Sequence, residues 1–207
     1  MGKRVFLSAA LTLLLAAQLA AKEIREDFSS TKIGNLPYQW TVANTNKKDA
    51  GIWEVDKDKS LNLKYPRGFS KDSFNIFYTT RLFFKKGSIL ADVKPYEGSK
   101  SAGILWHLRD KNNYQFALVD SKNALLIVGD VKDRKVTKRL KKRVELKKGW
   151  QTLKAVFDAN RTTIYLNGKK AALITNSLHE GGAGVISGGD TKALFDDITI
   201  RAYQDTL

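Results

Sequence analysis

Apolar and polar residues alternate along most of this chain with a period of two. In Trp150-Gln-Thr-Leu-Lys-Ala-Val-Phe157 the residues Leu153, Ala155 and Phe157 fall on one side, and Ile164 and Leu166 repeat the pattern in the next segment. That period marks strands with one buried face. Asp158-Ala-Asn160 supplies one turn. Asn167-Gly168 supplies another, where both residues can take positive φ and match the twist of a hairpin. Further strands are predicted over 171–174 and 193–200. Between them, Gly181-Gly182-Ala-Gly184 and Ser187-Gly-Gly189 read as turns that need positive φ and lead into strands.

Upstream, the same reading gives a short strand over 23–28 and a turn at Leu36-Pro37 before Trp40. Segments 51–55 and 60–64 form a hairpin, followed by strands at 74–79, 87–93, 103–109, 114–119 and 124–128. Short strands at this spacing, with polar turns between them, predict an all-β protein: an antiparallel sandwich or a barrel. No helical pattern of useful length competes beyond the first residues, and no linker, low-complexity tract or internal repeat breaks the chain.

The order Trp150…Leu-Lys-Ala155…Ile164-Tyr-Leu-Asn-Gly-Lys169…Gly182-Ala-Gly184…Phe195-Asp-Asp-Ile-Thr-Ile200 resembles the C-terminal half of concanavalin A-like lectin/glucanase domains. The laminin G-like and 3-keto-glycoside-hydrolase-like branches of bacterial envelopes are the most similar. The likeness covers 23–203 and is clearest after Gly103. It implies a jelly-roll β-sandwich. The matching residues are mainly turn and core residues, so it speaks for architecture and not for chemistry.

The chain opens with Met-Gly-Lys-Arg, an apolar run over 5–17, and small residues at Ala20-Ala21. That order is a secretory signal peptide, 1–21, although Leu19 is an irregular residue for a cut before Lys22. The run is too short to span a bilayer comfortably. The expected mature protein is one sandwich domain, 22–207, periplasmic or secreted, without a transmembrane segment. There is no cysteine, which excludes a lipoprotein anchor, disulfides and thiol catalysis. The net charge is +15, of which Lys3 and Arg4 contribute two. For an exported protein this balance points away from nucleic acid and toward anionic glycans, lipopolysaccharide phosphates or acidic headgroups. A solubilising lysine-rich surface would give the same charge.

Glycoside hydrolysis needs two carboxylates flanking the scissile bond. Glu54-Val-Asp56-Lys-Asp58 has the i, i+2, i+4 spacing of the laminarinase-type acids of the resembling superfamily. It runs straight into a lysine-rich turn, however, and the family's acid strand is central. A solvated hairpin turn is the better reading, so no catalytic residue is assigned.

The central hairpin reads better as a binding surface. In Ala102-Gly-Ile-Leu-Trp-His-Leu-Arg109, Ile104, Trp106 and Leu108 share one face, and Leu105, His107 and Arg109 share the other. With the first set in the core, His107 and Arg109 project outward and meet Gln115 from the next strand. Trp106, His107, Arg109 and Gln115 are therefore the expected ligand-binding residues. The turn Asp110-Lys-Asn-Asn-Tyr114 resembles the family's flanking Asp-x-x-Asn-Tyr, though Asp110, Asn112 and Asn113 equally suit a plain tight turn. His107 and His179 are the two histidines and show no zinc spacing. No Gly-x-Ser-x-Gly elbow is present.

The resemblance also implies a structural Ca²⁺ where first and last strands meet, with Asp27 and Asp197 as ligands. The alternative is that these acids bond to backbone at the sheet edge. Finally, ten of the residues in 132–148 are Lys or Arg. As a strand this run would turn Val136, Leu140, Val144 and Leu146 inward and leave Arg139, Lys141 and Arg143 outward to meet a polyanion. Blunting an edge strand is the competing explanation, and a helix would also fit part of the run.

Three readings follow. One is an exported, noncatalytic module that binds carbohydrate or an envelope polymer, which is the expectation taken forward. Another is a hydrolase of the 3-keto-glycoside type. The third is a periplasmic structural or adaptor protein that binds anionic surfaces through the basic hairpin.

Overall fold

The computed structural model describes residues 22–47, 49–68 and 73–203. The expected signal segment, 1–21, lies outside the described residues. Among these the chain forms fifteen strands, and no helix is long and apolar enough to cross a membrane. In chain order they begin with β1 (Lys22–Glu26), β2 (Thr41–Asn44), β3 (Ile52–Val55), β4 (Leu61–Tyr65) and β5 (Phe74–Phe84). Next come β6 (Gly87–Glu97), β7 (Ser101–Asp110), β8 (Asn113–Asp120), β9 (Leu125–Lys132) and β10 (Lys135–Arg143). The last five are β11 (Gln151–Phe157), β12 (Arg161–Leu166), β13 (Lys169–Thr175), β14 (Gly181–Gly188) and β15 (Lys192–Ala202).

Two antiparallel sheets result. One has seven strands in the order β10-β9-β8-β7-β14-β5-β2, the other eight in the order β13-β12-β11-β6-β15-β4-β3, with β1 beside β15. β15 is shared along its length: β4 pairs with Ala193–Phe195 and β1 with Ile198–Ala202. The alternating apolar positions meet between the sheets. There Trp40 stacks on Phe77 at 4.6 Å between ring centroids, and Trp53 lies 5.6 Å from Phe195. Phe157 collects Phe84 at 5.5 Å and Trp106 at 6.3 Å. Such rings account for much of the buried apolar area that holds a sandwich together.

A second apolar cluster lies on the far face of the seven-stranded sheet. Leu105, Phe116, Leu118 and Ile186 are all buried there, opposite in phase to Ile104, Ala117, Val119 and Val185 in the main core. Strands buried on both faces explain why 114–119 reads as a nearly unbroken apolar run.

Two expectations are corrected here. Gly181–Gly188 is β14, a strand inside the seven-stranded sheet between β7 and β5, and only Gly188-Gly189 belongs to a turn, closed by the Thr191 N–H on the Gly188 carbonyl at 2.9 Å before β15. A Cβ on Gly184 would sit 2.2 Å from the carbonyl oxygen of Phe77, so glycine is there for close approach and not for positive φ. The basic run is a strand as expected, β10, at the edge of the sheet, but its apolar residues do not share one face: Leu140, Val144 and Leu146 pack on the main core and Val136 on the second cluster. The Asn167-Gly168 turn is as expected, with φ of 51° and 82°.

Candidate functional site

One end of the seven-stranded sheet carries a cleft of about 470 Å³ on its outer face. Phe74, Leu118 and Ile127 form its floor, and Ser99, Asp120, Lys122, Asn123, Lys138 and Asp190 are among the residues at its rim. Alternation produces the floor: these side chains lie on the face opposite the core. The rim comes from the turns that join strands at this end. Asp120 Oδ1 accepts the backbone N–H of Lys122 and of Asn123 at 3.1 and 3.0 Å, and its Oδ2 accepts Asn123 Nδ2 at 2.8 Å. Ser99 Oγ donates to Asp190 Oδ1 and meets Thr191 Oγ1 at 2.9 Å. Both carboxylates of the cleft are thus committed to the turns that shape it.

A buried amide cluster braces one wall. Asn75 Nδ2 donates to the carbonyls of Arg67 and Gly189 at 3.1 and 3.2 Å, while its Oδ1 accepts the Arg67 N–H at 2.9 Å. Asn44 Nδ2 adds a bond to the Arg67 carbonyl at 2.7 Å, and Ser73 Oγ donates to Asn44 Oδ1 at 2.9 Å. Buried amides that satisfy both their ends fix local geometry strongly. This cluster ties segment 66–68 to the Gly188–Asp190 rim.

Trp106, His107 and Gln115 are not at this surface. All three are fully buried, which corrects the expectation that His107 and Gln115 project outward. The physical reason is a bulge. Pairing of β7 with β8 passes from Trp106↔Gln115 to Asp110↔Asn113, leaving three β7 residues opposite Tyr114 alone. His107 takes φ of 50° at that point, and Trp106 and His107 both turn inward. The imidazole meets Gln115 Oε1 through Nδ1 at 3.1 Å and the Lys85 carbonyl through Nε2 at 3.3 Å, and it stands edge-on to Phe157 at 4.7 Å. Gln115 Nε2 donates to Asn176 Oδ1 at 3.3 Å, and Thr162 Oγ1 donates to the same oxygen at 2.6 Å. Burial holds the His107 pKa below the usual imidazole value, against the pull of its two acceptors. The group is a polar clasp between the sheets. Arg109 is exposed, at the end of β7 away from the cleft.

Arg139 departs from expectation for a similar reason. A register shift between Lys138 and Leu140 makes it the extra residue of β10. Its guanidinium pairs through Nε with the buried carboxylate of Asp130, and Nη1 donates to the Thr175 carbonyl at 3.0 Å. It therefore bridges the edges of the two sheets and is not an outward polyanion ligand. Lys141 and Arg143 are exposed as expected.

At the junction of first and last strands, Asp27 Oδ1 accepts the N–H and the hydroxyl of Ser29 at 3.1 and 2.7 Å, which lowers its pKa. Asp197 faces Arg25 at 3.8 Å. Asp196 is pushed up by burial and by the nearby charges of Asp197, Asp92 and Asp27. Calcium requires six to eight oxygen ligands, and these two carboxylates, with partners of their own, do not make that cage. Among the described residues no three His, Asp or Glu side chains have metal-binding spacing. Of the i, i+2, i+4 acids, Glu54 pairs with Lys64 at 3.1 Å, and Asp56 Oδ1 accepts the N–H groups of Asp58 and Ser60, both at 3.0 Å. They build a hairpin turn.

Solved structures share this arrangement of sheets. The carbohydrate-binding module CBM66 from Bacillus subtilis superposes with a TM-score of 0.65 at 16% identity, over 79% of this chain and 96% of that one. The fold is a concanavalin A-like jelly roll. A β-glucanase from Bacillus licheniformis has it too, with a TM-score of 0.56 at 10% identity over 88% and 98% of the two chains. So does part of the GH43 protein BlXynB from the same species, with a TM-score of 0.62 at 16% identity over 86% of this chain and 39% of that one. No protein-family model and no curated sequence matches the chain.

Sequence reasoning assigns no ligand role to the rim residues Asp120, Asn123 and Asp190. Asp-x-x-Asn at 120–123 is the signal for this turn, with the same spacing as Asp110–Asn113.

Proposed function

We propose that this protein is an exported, noncatalytic carbohydrate-binding module, periplasmic or secreted, that holds a glycan in the outer cleft of its seven-stranded sheet. The observation that carries this reading is the cleft itself. An apolar floor suits the C–H faces of a sugar, and a rim of Ser, Asn, Asp and Lys groups suits its hydroxyls. Its volume of about 470 Å³ lies within the range of small-ligand pockets. Binding is favoured over hydrolysis because Asp120 and Asp190 are spent on rim turns, whereas a glycosidase needs two carboxyl groups flanking one bond. CBM66, which shares the fold, is a carbohydrate-binding module by name, and that supports the same class of ligand.

The test is calorimetric titration of the mature protein with a panel of neutral oligosaccharides at low and high salt. Binding that persists at high salt and weakens at least about tenfold in Asn123→Ala and Asp190→Ala is the expected result. Binding of neutral sugars that neither substitution changes would remove this cleft from consideration. Release of reducing sugar from any panel member would return the hydrolase reading.

A further inference from the structure

Two more clefts lie side by side away from the outer face. The first, about 420 Å³, is walled by Lys142, Arg143 and Lys147 on one side and by Lys169 and Lys170 at the start of β13 on the other. The second, about 470 Å³, takes Lys94 from β6, Lys100 from the turn between β6 and β7, Lys122 from the β8–β9 turn, and Lys147 again. Leu146 and Lys147 line both. Glu145 is the single carboxylate in the two linings.

Lys142 Nζ donates to the Ala171 carbonyl at 3.1 Å, and Lys94 Nζ lies 5.8 Å from the centre of the Trp150 ring. Neither contact neutralises charge. None of the other lining cations is in an ion pair among the described residues. Edge protection explains lysines on β10. It does not explain Lys94, Lys100 and Lys122, which come from other elements and converge on the same groove.

We infer that these joined clefts bind an anionic polysaccharide, a chain of sugar units that carry carboxylate or sulfate groups. Cations on facing walls call for a ligand charged on both flanks, which a chain in a groove satisfies and a flat membrane does not. Single-stranded nucleic acid is held on aromatic stacking platforms, and no aromatic side chain lines either cleft. Like charges gathered without partners focus a strong positive potential. Leu146, Leu166 and Ala171 give the first cleft an apolar base for the sugar rings. Lys122 is the one lining residue shared with the neutral-glycan cleft, and the inference does not depend on that cleft.

The test measures binding of polygalacturonate to the mature protein, with neutral dextran and phosphatidylglycerol vesicles as comparators. Binding should weaken at least about a hundredfold between about 0.05 M and about 0.5 M salt. The triple variant Arg143→Ser/Lys147→Ser/Lys170→Ser should bind at least about tenfold more weakly. Removing the same charge elsewhere, in Lys32→Ser/Lys57→Ser/Lys86→Ser, should change affinity by less than about threefold. Equal losses in the two triple variants would show that net charge alone is at work and would overturn the inference. Absence of polygalacturonate binding, or vesicle binding as tight and as sensitive to the cleft substitutions, would overturn it as well.

Discussion

Arg139→Met tests whether the bulge in β10 closes the edge of the sandwich. The Asp130 side chain is 5% exposed and the Arg139 side chain 34%. Removing one partner of a fully buried ion pair costs about 3–5 kcal/mol, because the remaining charge stays unpaired. Arg139 sits at the rim, so water can replace part of the guanidinium, and the expected cost drops to about 2–3 kcal/mol. Methionine keeps much of the apolar stem and so isolates the head group. For a chain of this size each kcal/mol moves the melting temperature by about 2–4 °C, so a loss of about 4–12 °C is expected by thermal circular dichroism. Adding Asp130→Leu should restore more than half of it, since replacing both charges with apolar groups is nearly neutral. Lys141→Met, at an exposed position of the same strand, should stay within about 0.5 kcal/mol of wild type. The reasoning fails if Arg139→Met melts like Lys141→Met, or if the double variant is less stable than the single one.

Other outcomes follow from the same structure. Acidification should destabilise the fold through His107. Its folded pKa is depressed by burial below that of a free imidazole, so the unfolded chain binds the proton more readily and stability is lost as pH falls below about 6.5. Urea titrations between about pH 8 and pH 5 should show this slope in wild type and a shallower one in His107→Gln. Gly184→Ala should cost about 3 kcal/mol or more in chemical denaturation, because the new methyl meets the Phe77 carbonyl and no side-chain rotation relieves it. Gly168→Ala, with open space but φ of 82°, should cost only about 1 kcal/mol. Asn75→Ala should cost about 2–4 kcal/mol and weaken neutral-glycan titrations too, since it frees segment 66–68 from the cleft rim.

How far the sequence alone reaches depends on what each residue must do. Period-two alternation found most strands, because a half-buried strand writes its geometry into every second residue. It failed at 181–188. There β14 is buried on both faces and packed so closely by β5 and β7 that glycine replaces side chains, so the alternation vanishes and only turn-like composition remains. The family resemblance placed the fold correctly through turn and core residues such as Asn167-Gly168 and Phe195. By the same token those residues had nothing to say about ligands.

Gln115 lies on the core face of β8 by ordinary alternation with Ala117 and Val119, whereas His107 and Arg139 were misplaced by one mechanism that acted twice. An extra residue in a strand reverses the facing of whatever follows, and bulges leave little trace in composition. At His107 the bulge in β7, one residue longer than β14 and two longer than β8 at this point, turned an expected surface histidine into a link between Gln115 and the Lys85 carbonyl. At Arg139 the same event turned an expected polyanion contact toward Asp130. Histidine and arginine carry no β-bulge signature of their own, so counting by twos was bound to place both on the wrong side. The cations that converge on the basic clefts were out of reach for a different reason. Lys94, Lys122 and Lys169 are far apart in the chain, and only the order of strands in the two sheets brings them beside Lys147. A run of ten basic residues was visible in the sequence. That its inward members anchor the strand, while its neighbours share a groove with lysines from distant strands and turns, is a property of topology.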